Sequence, residues 1–261
     1  MNATLAACRS LLRGLPLFLR PTPKTPLRVL GIIAFDTLHA LRASKPLPPA
    51  TIDALATFLD FQGCANAEWD RKYVCQAEYQ ALRQRLARVG LGAWTDDYLH
   101  RLRALESQRP PTTGDSGRFD DVRAYREAVA RLSLATGAAM ALDADSLDDG
   151  LRATRCDPDV ETLFRILMQC QIVDDVLDYP ADLGARLPSF LTACTPLPRA
   201  MALTRAAVRS YARFRQPRVE RAVLPLRIAH RTFTLIAALI AGAARLHHRR
   251  HRTADAVLTE P

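Results

Sequence analysis

The stretch "PDVETLFRILMQCQIVDDVLDYPAD", residues 158–182, decides how the rest of the chain is read. Asp157 followed by Pro158 is a helix start: a capping side chain, then a proline where the missing N–H costs nothing. The upstream part, "LFRILMQC" (163–170), is apolar nearly all round, which predicts a helix buried inside a bundle. At about 100° per residue, Gln171, Asp174, Asp175, Asp178 and Asp182 share a stripe roughly 100° wide. Ile172, Val173, Val176 and Leu177 fall outside it. Pro180 predicts a kink or an end to the helix, with Asp182 on the loop beyond.

Helical spacing dominates outward from this segment in both directions, and alternating β-branched runs are scarce. Prolines cluster at breaks: "RPTPKTP" (20–26), "SKPLPPA" (44–50), "SQRPPTTGDSG" (107–117), "TPLP" (195–198), and around Pro217 and Pro225. The segments between them predict helices at 27–43, 50–72, 75–90, 95–106, 119–141, 158–179, 198–214 and 225–247. Thr95 before Asp96 and Asp97 reads as a further N-cap. The expected fold is all-α, a single-domain bundle over residues 27–250. A basic–apolar segment (1–26) precedes it and a tail (251–261) follows.

Composition fits a globular chain: 261 residues, 49% hydrophobic and 24% charged. The net charge of +9 suits nucleic acid, an anionic membrane surface or small polyanions such as diphosphates. No C2H2 spacing, RNP-like stretch or basic zipper accompanies it, so no nucleic-acid partner is expected. The six cysteines have no CxxC pair and read as reduced, mostly buried thiols, and "MNATLAACRSLLRGLPLFLR" lacks the unbroken apolar core of a signal peptide. The expected location is cytoplasmic. The longest apolar run, "FTLIAALIAGAA" (233–244), falls short of the ~20 residues that span a bilayer and reads as a buried helix. Both basic–apolar ends are suited to peripheral membrane contact.

A solvated acidic face normally intersperses Lys or Arg one turn away, and none occurs between Gln171 and Asp182. Carboxylates stacked at i, i+3 and i+4 repel unless a cation neutralises them. An oxygen-only donor set at this spacing suits Mg²⁺, which takes one or two carboxylates and completes its shell with phosphate oxygens and water.

The pattern Gln171-x-x-Asp174-Asp175-x-x-Asp178-x-x-x-Asp182 resembles the second aspartate-rich motif of trans-prenyl diphosphate synthases, and is similar in placement to that of squalene and phytoene synthases. "YREAVARLSLATGAAMAL" (125–142) resembles the helix before that motif, with a small-residue break at Gly137. The resemblance covers roughly residues 119–192 and implies the class I isoprenoid synthase fold. It implies metal ligands at Asp174, Asp175, Asp178 and Asp182. It also implies an opposing acidic face, which is assigned to Asp60, Asn66 and Asp70 of "FLDFQGCANAEWDRK" (58–72), the usual DDxxD being absent.

A diphosphate-sensing arginine is implied on the helix before the motif. Arg131 is preferred for it, with Arg126 as the alternative. Tyr125, Gln171, Arg186, Arg227 and Arg231 complete the expected substrate-binding set. Arg71-Lys72 follows Asp70 without the second arginine and glycine of chain-elongating enzymes, which favours a one-substrate reaction. The expected cavity wall comprises Phe58, Phe61, Trp69, Phe164, Met168 and Phe190.

The resulting expectation is a Mg²⁺-dependent terpene synthase-like enzyme that ionises a linear prenyl diphosphate. Prenyl transfer (chain elongation or squalene/phytoene-type condensation) is the enzymatic alternative, and a non-catalytic partner subunit the other. Homodimers are common in the family.

Overall fold

A computed structural model describes Leu5, Arg9, Leu12 and residues 25–70, 74–111, 118–213 and 222–258 of the chain. Arg71 and Lys72, and Cys8 among the six cysteines, lie outside the described residues. The helices are α1 (Thr25–Ala43), α2 (Pro49–Trp69), α3 (Gln76–Arg88), α4 (Gly92–Ser107), α5 (Phe119–Ala141), α6 (Leu147–Cys156), α7 (Pro158–Leu177), α8 (Tyr179–Ala185), α9 (Leu197–Ala212) and α10 (Leu224–Leu258). No strand occurs among the described residues, so the fold is all-α.

The expected domain of residues 27–250 divides into two compact units. The first holds Met1–Ser107, Val129–Phe164 and Arg218–Leu226; the second holds Gln108–Ala128, Arg165–Pro217 and Arg227–Pro261. The core of the first unit has two parts. Ile32, Phe35, Leu38, Leu47, Leu55, Val160 and Leu163 form one. In the other, Phe58, Phe61, Tyr79 and Tyr98 pack ring against ring, with centroids 5.4–6.2 Å apart. The buried Asp159 of this unit is paired. Arg42 donates to Asp157 and Asp159 at 2.7 and 2.9 Å, and Asp159 also accepts the Val223 N–H at 2.8 Å. The core of the second unit is Leu191, Cys194, Ala200 and Met201, with Val176, Tyr179, Leu197, Leu203 and Ala244 against it.

Several local expectations change. Thr95 does not cap a helix. The chain is already helical from Gly92, and the Thr95 hydroxyl bonds back to Leu91 O at 2.8 Å. Gly137 is no break: α5 runs through it, and its bare Cα makes room for the Phe35 ring, which a Cβ would meet at 2.1 Å. Helix α6 was not anticipated, although its cap was legible: Ser146 Oγ accepts the Asp149 N–H at 3.2 Å. Residues 251–258, placed in a tail, continue α10. The run 233–244 is not a buried helix, because Leu235, Ile236 and Leu239 are exposed. Of the described cysteines only Cys64 and Cys194 are buried; Cys75 and Cys156 are exposed.

Candidate functional site

Asp157 starts α7 as expected, its Oδ1 accepting the N–H groups of Asp159 and Val160 at 3.0 and 3.2 Å. The helix ends at Leu177. Asp178 forms the junction, and α8 resumes at once with Pro180 in its first turn, where a proline fits. Asp182 therefore lies in the first turn of α8 rather than on a loop. Asp178 N–H bonds Asp174 O at 2.8 Å and Asp182 N–H bonds Asp178 O at 2.9 Å, so the three carboxylates stay one turn apart through the junction.

The stripe does not face uniformly inward. Asp174 and Asp178 are exposed and Asp182 is half-buried, whereas Asp175 is only 1% exposed. The cause of that burial is the segment 188–194, itself buried, whose backbone groups must find partners inside the protein. Within it, Ser189 N–H bonds Thr192 Oγ1 at 2.8 Å and the Thr192 hydroxyl donates to Leu187 O at 2.7 Å. This turn directs the Phe190 N–H to Asp175 Oδ2 at 2.7 Å. The other oxygen, Oδ1, accepts from the Arg126 guanidinium. Both Asp175 oxygens are thus taken by the protein, and the residue anchors a buried turn rather than standing ready as a metal ligand. Burial pushes its carboxyl up to about 6; Arg126 and the Phe190 N–H oppose this, while Asp182 and Asp174 add to it. Burial, helped by Asp174, also pushes the Cys170 thiol up to about 11. Cys170 is accordingly no nucleophile near neutrality.

The two arginines expected on α5 have different surroundings. Arg131 donates to Thr154 O and to Glu161 Oε2, the latter at 3.1 Å, and stacks 3.6 Å over the Phe164 ring. These contacts belong to the first unit and tie Arg131 into its packing. Arg126 belongs to the second unit, bonds Asp175, and keeps a buried Nε with no hydrogen-bond partner among the described residues. Gln171, one turn before Asp175, likewise has a buried Oε1 without a partner among the described residues. Tyr125 lies under the Arg109 guanidinium, 5.9 Å from the ring centre.

Sequence reasoning missed the network that fixes the start of α5. Tyr211 OH donates to Glu127 Oε1 at 2.6 Å, Arg123 Nε donates to the same oxygen at 2.9 Å, and Arg123 Nη2 donates to Ser210 at 3.1 Å. An Arg-x-x-x-Glu spacing on one helix was its only sequence signal.

Arg186 closes α8 in the left-handed conformation (φ 53°, ψ 44°) and is exposed. Arg227 is half-buried, with an Nε that has no partner among the described residues, and Arg231 is exposed.

The residues assigned to the opposing face are engaged within the first unit. Asp60 accepts from Arg28 at 2.9 Å, Asn66 Oδ1 accepts from Tyr98 OH at 3.5 Å, and Asp70 ends α2 with its N–H on Asn66 O at 3.0 Å. Phe58, Phe61, Phe164, Met168 and Phe190 are buried as core, and Trp69 is exposed. Among the described residues no three His, Cys, Asp or Glu side chains converge closely enough to hold a metal ion.

Asp174 and Asp178, with Asp182 a turn further, offer only oxygen. Mg²⁺ needs one or two carboxylates when phosphate oxygens and water fill the remaining octahedral positions. A comparison with protein-family models, curated proteins and solved structures finds no match to this chain.

Proposed function

We propose that this chain is a class I terpene synthase-like enzyme that ionises a linear prenyl diphosphate with Mg²⁺. The observation that carries the reading is the end of α7. There the buried Asp175 pairs with the half-buried Arg126 beside the exposed carboxylates of Asp174 and Asp178, and Arg126 Nε and Gln171 Oε1 lack partners among the described residues. Buried polar atoms left unpaired cost about 1–3 kcal/mol each, so two of them, on Gln171 one turn before Asp175 and on the arginine that bonds Asp175, suggest that a polar ligand completes the arrangement.

When bound, Mg²⁺ would supply positive charge to the diphosphate as the C–O bond breaks. Asp174 and Asp178 would hold it. Arg126, fixed in direction by Asp175, would donate to a diphosphate oxygen through its remaining N–H groups, and a guanidinium suits that planar, multi-point contact. Gln171 would orient the same group through its amide, whose N and O ends exchange by a flip. Asp175 positions Arg126 and does not itself touch the substrate.

The test is incubation with Mg²⁺ and the C10, C15 and C20 allylic diphosphates, each with and without isopentenyl diphosphate. Diphosphate release from one allylic substrate alone is the expected result. An Asp174→Asn/Asp178→Asn variant should lose about a hundredfold in kcat/KM or more, by the usual worth of charge stabilisation at a leaving group. Release only when isopentenyl diphosphate is present would indicate prenyl transfer instead.

A second reading, a non-catalytic partner subunit, draws on the engagement of Asp60 and Asn66 by Arg28 and Tyr98. No diphosphate release from any of the three substrates would favour it.

A further inference from the structure

Helix α10 has two faces of different character. One is seated in the second unit by residues at helical spacing. His230 Nε2 bonds Tyr211 O at 2.9 Å, Thr234 Oγ1 accepts from Gln169 Nε2 at 2.7 Å, and Ala237 and Ala241 are buried. The opposite face carries Ile228, Leu235 and Leu239 at 56%, 60% and 63% exposure, with Ile236 beside them. At about 100° per residue Ile228, Leu235 and Leu239 fall within a sector roughly 40° wide. Leaving several large aliphatic side chains in a row in water forfeits the burial that stabilises them elsewhere, and such patches mark interaction surfaces.

The same helix continues to Leu258 through "RLHHRRHR" (245–252). Helical spacing puts Arg227 and Arg231 about 40° apart along one edge of the apolar stripe, and in the sequence beyond them Arg245, Arg249, Arg250 and Arg252 add four formal positive charges. No Asp or Glu occurs from Ala222 to Ala254. That charge pattern discriminates between occupants. A second copy packed on this stripe would bring the same arginines and no carboxylate between Ala222 and Ala254 to meet them. The segment Leu224–Ala244 is long and apolar enough to cross a membrane by length and composition, but it includes Arg227 and Arg231 and one of its faces is seated on the protein. An apolar stripe edged by arginines matches a lipid surface that offers acyl chains beneath anionic headgroups.

We propose that α10 docks this protein on anionic membranes, lying in the plane of the interface with Ile228, Leu235 and Leu239 inserted and the basic residues of the helix drawn to lipid headgroups. This inference is independent of the enzyme reading.

The experiment is sedimentation of the full chain with vesicles of phosphatidylcholine alone and of equimolar phosphatidylcholine and phosphatidylglycerol. Binding is expected to the anionic vesicles, weakening steeply with added salt. Two variants separate the contributions. Leu235→Ser/Leu239→Ser changes only exposed side chains and should bind about tenfold more weakly or worse, with helix content unchanged by circular dichroism. Arg245→Gln/Arg249→Gln should shift binding toward the phosphatidylcholine-only level. Equal pelleting with both vesicle types, or a leucine variant that binds like the parent, would overturn the proposal. So would light scattering that shows a dimer which the leucine variant converts to monomer while neither form pellets with vesicles.

Discussion

Asp175 sits where a carboxylate has few reasons to be, and its energetics follow from its two partners. The unfolded side chain releases its proton near 3.8, whereas burial holds the folded one up to about 6. The folded state therefore binds the proton more tightly. Its contribution to stability is complete below pH ~4 and is lost as pH rises toward 6, a change of about 3 kcal/mol. Asp175→Asn, which imitates the protonated form, should match the parent at low pH and gain on it as the pH rises to neutrality, measured by urea unfolding at a series of pH values. A pH-independent difference between the two proteins would contradict this. Arg126→Met tests the other half of the pair. It leaves a buried carboxylate without its cation, which typically costs about 3–5 kcal/mol at neutral pH. The Asp175 titration should then move above 6, readable as a higher pH midpoint in the same unfolding series. Neither effect was legible in the sequence. The helical wheel put five polar residues on one stripe and their spacing held. Which of them is buried was decided by the turn at 187–192, whose hydroxyl bonds leave no periodic trace.

At the scale of an element, α5 shows how a correct helix is read with a wrong purpose. The segment 119–141 reads as one helix with the right ends, yet the resemblance of 125–142 to the helix before an aspartate-rich motif implies a small-residue break at Gly137. Its purpose is set by α1, where the Phe35 ring occupies the space a Cβ would fill, at 2.1 Å. Gly137→Ala should therefore destabilise by about 1–3 kcal/mol through overpacking, although alanine is the better helix former. Gly150→Ala on α6 should cost more, because the Cβ would meet the Ala135 carbonyl oxygen at 2.0 Å, and backbone cannot rotate aside as a side chain can. Thermal unfolding of the two single variants orders them, and an unchanged melting temperature for Gly150→Ala would refute the account. Helix α10 carries the same lesson on a larger area. "FTLIAALIAGAA" has no polar face, so composition alone suggested a core helix. Packing alone reveals that Ala237 and Ala241 are the buried side and Leu235 and Leu239 the exposed one.

For the whole molecule, ligand binding and unfolding are linked, which turns the proposed metal chemistry into a measurement that needs no turnover. A ligand that binds only the folded chain stabilises it by about 2.7 kcal/mol when present at a hundred times its Kd, or about 5–10 °C in Tm for a chain of this length. No three acidic, His or Cys side chains converge among the described residues, so Mg²⁺ alone has too few protein ligands and should leave the melting temperature nearly unchanged. Inorganic diphosphate alone should raise it slightly, through Arg126. The two together should raise it by the full amount if, as proposed, diphosphate oxygens complete a shell begun by Asp174 and Asp178. In Asp174→Asn/Asp178→Asn the combined increment should fall to that of diphosphate alone. An increment with diphosphate that is the same with Mg²⁺ and with a chelator would leave an arginine anion site and remove the metal from the proposal. The buried Asp175–Arg126 pair predicts one further sign: the ligand response should weaken as pH falls from 7 toward 5. Protonation of Asp175 then releases its charge-assisted hold on the guanidinium, while diphosphate itself becomes less negative. Asp175→Asn separates these two causes, since it removes the first and leaves the second.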